Sequence, residues 1–138
     1  MNQNDPRYAA YLRILAEELV PAMGCTEPIS ISFCAAKARE LLGTLPETIT
    51  VAASGNIIKN VKSVVVPNTG GRKGIETAAA VGVVAGDPTR ELEVIASVTL
   101  EQREALGRYL ETVPIRVRPA HSDLVLDVTV TVEAGGPA

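Results

Sequence analysis

The chain has 138 residues, 46% of them hydrophobic, a formal net charge of −3, one Phe, three Tyr and no Trp. That length suits a single domain whose core is built from Ala, Val, Leu and Ile, and the absence of a Lys/Arg cluster argues against nucleic acid as a partner. No run approaches the roughly 18 apolar residues of a membrane span, and the two cysteines, Cys25 and Cys34, form no disulfide framework, so the sequence reads as a reduced, cytoplasmic protein.

Asp5-Pro6 supplies a cap and a first-turn proline, and Tyr8, Leu12, Leu15 and Leu19 recur at helical spacing, which predicts a helix over 6–20. The loop Gly24-Cys25-Thr26-Glu27-Pro28 follows. Thr26 is placed to cap the next helix and Pro28 to sit in its first turn. The helix dipole and unpaired amides would then lower the pKa of the Cys25 thiol, giving the thiolate that a metal or a nucleophilic mechanism needs. An ordinary interhelical turn with a buried cysteine would carry the same residues.

The second helix is predicted over 27–42, with Ile31, Cys34, Ala38 and Leu41 on one inward stripe and Gly43 ending it. Cys34 is thereby a core residue. Alternation over 48–53 predicts a strand ending at Ser54-Gly55. After it, Asn56-Ile57-Ile58-Lys59-Asn60 begins a short helix, and 63–66 fits a buried strand. Pro67-Asn68-Thr69-Gly70-Gly71-Arg72-Lys73-Gly74 is a turn-rich loop leading to a helix of small residues over 75–85. Its backbone amides and two cations suit a carboxylate or phosphate, although a solvated loop would look the same. It has neither P-loop nor dinucleotide spacing.

Asp87-Pro88 breaks the chain before a short helix over 89–95. Thr99-Leu100-Glu101-Gln102 has capping-box spacing for a last helix whose inward residues are Leu106, Tyr109 and Leu110, and which Pro114 ends. Strands follow over 115–118 and 124–133, the second with one wet face and a place near the sheet edge. The only histidine, His121, falls in the turn between them. Gly135-Gly136-Pro137-Ala138 leaves the sheet looking unfinished. The pattern predicts one α+β domain, with a mixed or antiparallel sheet and helices packed on one face.

The stretch from Leu19 to Ala38, together with Ser54-Gly55-Asn56-Ile57-Ile58-Lys59-Asn60, Pro67-Asn68-Thr69-Gly70 and Gly74, resembles the iron-sulfur L-cysteine desulfidases and the related L-serine dehydratases. The blocks occur in the same order and at similar spacing, and the likeness covers nearly all of this chain but only the family's N-terminal third. The resemblance implies that Cys25 ligates a 4Fe-4S cluster whose other cysteines come from a missing C-terminal segment or subunit. It also implies β-elimination from a small amino acid, in which a base removes the α-proton while an iron acts as Lewis acid on the leaving sulfur or hydroxyl, giving pyruvate and ammonium.

Lys59, Lys73 and Glu27 are the candidate bases, with Lys59 an alternative contact for the substrate carboxylate. Ser54, Asn56, Asn60, Asn68 and Thr69 are candidate hydrogen-bonding groups for the amino acid. One thiolate cannot hold four irons, so the chain alone is expected to be inactive, free of cofactor and prone to associate with the missing part or with itself. The competing expectation is a non-catalytic domain of the same fold that binds a metabolite or a protein.

Overall fold

The alternation of Ile49, Val51 and Ala53 with Thr48, Thr50 and Ala52 produces a strand with one buried and one half-open face, and the rest of the fold assembles on that buried face. The computed structural model describes residues 7–16, 27–120 and 126–135. In chain order it comprises β1 (Arg7–Ala16), α1 (Glu27–Leu42), β2 (Thr48–Ala53), α2 (Gly55–Val61), α3 (Ile75–Ala85), a 3-10 helix (Pro88–Glu93), α4 (Leu100–Thr112), β3 (Ile115–Pro119) and β4 (Leu126–Gly135). The strands form one sheet in the order β1-β4-β2-β3. β4 runs antiparallel to both β1 and β2, while β3 is parallel to β2, so the sheet is mixed. This is the α+β domain that the sequence pattern predicts.

The helices cover the face that carries Ile49, Val51, Val128, Val130 and Val132, all buried. α1 packs on β1 and β4 and against α3, and α3 in turn packs on α4. With so few aromatic residues, the core depends on many aliphatic side chains, its valines, isoleucines and Leu106 each contributing about 1.5–3 kcal/mol when fully buried and its alanines less. α3 is apolar all round and is buried from Thr77 to Val83, as a helix without a polar face must be. Its Gly82 is required by the crossing with α1, since a Cβ there would stand 2.3 Å from the Ser32 carbonyl oxygen. On the opposite face of the sheet, Arg116 and Arg118 are exposed and Thr50, Thr129 and Thr131 half-buried.

Several expectations are corrected. Over residues 7–16 the predicted helix is a strand, paired with β4 from Arg7↔Gly135 to Ala16↔Leu126. Ala, Leu and Arg are good helix formers, but propensity is a weak prior that ten residues of ladder hydrogen bonding override. That pairing also moves the last strand from the edge to the interior, between β1 and β2. The predicted strand over 63–66 is reduced to a single bridge, Val65↔Lys73, with Val64 and Val65 exposed and only Val66 buried. The short helix predicted over 89–95 is the 3-10 helix Pro88–Glu93. Leu41 is 65% exposed and leaves the α1 stripe on which Ile31, Cys34 and Ala38 stay fully buried.

Candidate functional site

Ser54 lies where β2 gives way to α2. Its backbone N–H donates to the Asp127 carbonyl at 2.8 Å, extending the ladder with β4, and its own carbonyl accepts from Ile58 N–H at 3.1 Å, opening the helix. Ile57 and Val61 are fully buried, and this fixes the rotation of α2 so that Lys59 and Asn60 are exposed. Asn56 occupies the second position of the helix. Ser54 is 1% exposed, so the motif presents a buried hydroxyl at one end and a solvated cation at the other.

The loop 67–74 starts from the far end of α2 and is folded by its own polar groups. Val66 N–H donates to Arg72 O at 2.9 Å, and Gly74 N–H donates to Val64 O at 3.2 Å. The Thr69 hydroxyl donates to Val66 O at 2.7 Å and lies 3.3 Å from Arg72 O. The Asn68 amide donates to Ile95 O at 2.9 Å. Thr69 is 2% exposed, so both candidate hydrogen-bonding side chains use their donors to shape the loop. Asn68, Gly70 and Gly71 all have positive φ, at 62°, 75° and 87°. In that conformation Gly removes the Cβ penalty. Lys73 is exposed beside the bridge with Val65.

Gly74 brings the end of the loop back to the chain leaving α2: a Cβ placed on it would meet Lys62 O at 3.7 Å. A hollow of about 170 Å³ lies there, lined by Ile58, Lys62, Gly74, Ile75, Glu76 and Val117. A larger, open cleft of about 480 Å³ lies on the other side of the loop, between Thr69–Arg72 and the first turns of α4. The loop is tied to α4 by Arg103, whose Nε donates to Asn68 O at 3.2 Å. Ser54 and the loop therefore occupy opposite ends of α2, a seven-residue helix about 10 Å long.

Cys25 and His121 lie outside the described residues. Glu27 opens α1, with Pro28 buried in its first turn. Cys34 is fully buried in the core, and burial pushes its thiol from 9.0 up to about 12. Packed among Ile31, Ala35 and Ala38 in that core, Cys34 is a structural residue. Among the described residues no three or more His, Cys, Asp or Glu side chains cluster as metal ligands would.

Sequence reasoning missed two residues at these sites. Asp127 alternates with valines in the strand predicted to have one wet face, yet it is 1% exposed; the available signal is an acidic residue in a β-branched strand, where Asp is depleted. Arg103 has no sequence signal, because only the docking of α4 brings it to a loop 35 positions away.

The chain is similar to proteins described as UPF0597 proteins. One from Desulfitobacterium hafniense is 52% identical over 131 residues, covering 95% of this chain and 30% of the relative. Another from Treponema denticola is 42% identical over 136 residues, covering 99% and 32%, and one from Finegoldia magna is 50% identical over 123 residues, covering 89% and 30%. The chain thus spans about a third of the length of the curated relatives it matches. No family model and no solved structure matches it. Among the described residues no helix is long and apolar enough to cross a membrane.

Proposed function

We propose that this chain is a module of a cytoplasmic iron-sulfur lyase that eliminates sulfide from L-cysteine or water from L-serine. In this reading it supplies the amino-acid-binding loops and one thiolate, Cys25. The remaining cluster ligands come from the other two-thirds of the protein or from a second subunit. The observation that supports the reading is a cleft of small-molecule size beside the second motif segment, lined by Thr69, Gly70, Gly71 and Arg72. Ligand sites are concavities of about 300–1,000 Å³, and the cleft lies within that range.

Lys59 and Lys73, both exposed, remain the proposed proton acceptors or carboxylate contacts, with Glu27 as a third candidate. Ser54, Asn56 and Asn60 are proposed to support the substrate loop through α2, the buried Ser54 without itself touching the amino acid. Asn68 and Thr69 act through the shape of the loop. No step at the cluster is derived from Cys34, whose burial removes it from that chemistry.

The test is anaerobic reconstitution with iron and sulfide of this chain, alone and with the remaining portion of a full-length relative, followed by visible absorbance and sulfide release from L-cysteine. The complex is expected to be coloured and active and to lose both properties with Cys25→Ser, while the chain alone is colourless and silent. Sulfide release by the chain alone, indifferent to Cys25→Ser, overturns the reading.

A further inference from the structure

The cleft beside the loop is lined by two arginines, Arg72 and Arg103, that take part in neither of the ion pairs Lys37–Glu40 and Arg90–Glu93. Arg103 is anchored through Nε to Asn68 O at 3.2 Å, which leaves its terminal nitrogens unused by that bond. Arg72 lays its guanidinium on α4 over Gly107, where its Nη2 stands 2.8 Å from the place a Cβ would take. Residues 103 and 107 are four apart on one helix, so their positions are adjacent on a single face, about 6 Å from each other. The fold therefore brings Arg72 and Arg103, which lie on different elements, to the lining of one cleft.

The floor of the cleft is main chain. Cβ positions built on Gly70 and Gly71 meet nothing within 4 Å, so a ligand has open access to the backbone there. Leu100, 69% exposed, heads the same face of α4 as an apolar wall, and Glu104 is on the lining. Two cations and one carboxylate leave a single positive excess. That arrangement suits one carboxylate on the guanidinium forks and gives an ammonium group a partner in Glu104, which a phosphate would leave unmatched.

We propose that this cleft binds a small α-amino acid as its zwitterion, with the carboxylate on Arg72 and Arg103 and the ammonium toward Glu104. The proposal deepens the lyase reading and rests on it only for the choice of an amino acid over other carboxylates. Asn68 and Thr69, whose donors fold the loop, then act as positioning residues for Gly70, Gly71 and Arg72.

The experiment is a titration of the ¹⁵N-labelled chain, monitored by amide shifts, with L-serine, L-cysteine, pyruvate, L-serinamide and inorganic phosphate. L-Serine and L-cysteine are expected to shift Gly70, Gly71 and Arg103, pyruvate to do so more weakly, and serinamide and phosphate not at all. Arg72→Met should weaken L-serine at least tenfold without unfolding the chain, because its side chain makes no hydrogen bond among the described residues. Glu104→Gln should remove the preference for L-serine over pyruvate. Equal shifts with serinamide, stronger binding of phosphate, or unchanged affinity in Arg72→Met overturns the proposal. Binding of pyruvate without L-serine or L-cysteine keeps the carboxylate site and removes the amino-acid lyase reading. An active complete protein with unchanged KM in Arg72→Met does the reverse.

Discussion

The main-chain N–H of Ser54 donates to the carbonyl of Asp127 at 2.8 Å, and both residues are 1% exposed. The bond continues the β2–β4 ladder one step beyond Ala53↔Val128, so the start of the Ser54-Gly55-Asn56 segment is held by an interior strand. Among the described residues no buried side-chain nitrogen or oxygen lacks a hydrogen-bond partner, and Asp127 is therefore engaged as well as buried. Asp127→Ala should remove the carboxylate from its partner and destabilise the chain by about 1–3 kcal/mol. Asp127→Asn, which keeps shape and some hydrogen bonding, should cost less. Urea midpoints check this, and an alanine variant as stable as the parent would show that the buried carboxylate contributes nothing to stability.

Gly82→Ala pits two effects of opposite sign against each other. Replacing a helical glycine by alanine ordinarily stabilises by about 1 kcal/mol. Here the new methyl would lie 2.3 Å from the Ser32 carbonyl oxygen and 3.0 Å from the Ala35 Cβ. The close approach of α1 and α3 also carries the Ser32 hydroxyl bond to Ala78 O at 2.6 Å. Overpacking of this kind costs about 1–3 kcal/mol, so the variant should melt at a lower temperature than the parent; a rise would mean that the helices separate freely.

Elements with a local signature were legible in the sequence. Thr99 accepts from Gln102 N–H, and the Gln102 side chain returns to Thr99 N–H, as the capping-box spacing anticipates. α1 and α3 run Glu27–Leu42 and Ile75–Ala85 because apolar stripes, Gly43 and the glycine-rich loop mark their limits. Residues 7–16 misled because a helical recurrence of leucines says nothing about the strand, 110 or more positions away, that pairs with them. The candidate site was half legible for the same reason. The loop 67–74 announces itself by its glycines, whereas Arg103 and Asp127 reach their places only through the docking of α4 and β4.

Cys34 gives a pH dependence with a definite sign. Burial raises its thiol from 9.0 to about 12, so the folded chain keeps a proton that the unfolded chain releases above pH 9. Stability should therefore be intact below that pH and fall as pH rises toward 12, by up to about 1.4 kcal/mol per unit where the difference is complete. Burial also pushes the Tyr109 phenol up, which adds a decline of the same sign. Cys34→Ala should flatten the alkaline slope while costing about 1 kcal/mol of core packing. In a Cys25→Ser background, a thiol reagent at pH 8 should label Cys34 only as fast as the chain unfolds; immediate labelling of the folded chain would contradict the burial.

Gly107→Ala separates stability from ligand binding. The only atoms a Cβ at this position would meet within 4 Å belong to the Arg72 guanidinium, with Nη2 at 2.8 Å. That is the far end of a flexible side chain and can move at little cost. The helix-propensity gain of about 1 kcal/mol should then prevail, and the variant should be as stable as the parent or more so. Displacing Arg72 from its seat, however, moves one of the two cations away from Arg103, so affinity for L-serine should fall several-fold although neither arginine is altered. Thermal melts and the amide-shift titration read the two effects independently. A variant both stabilised and unimpaired in binding would show that the Arg72 head group does not need its place on α4.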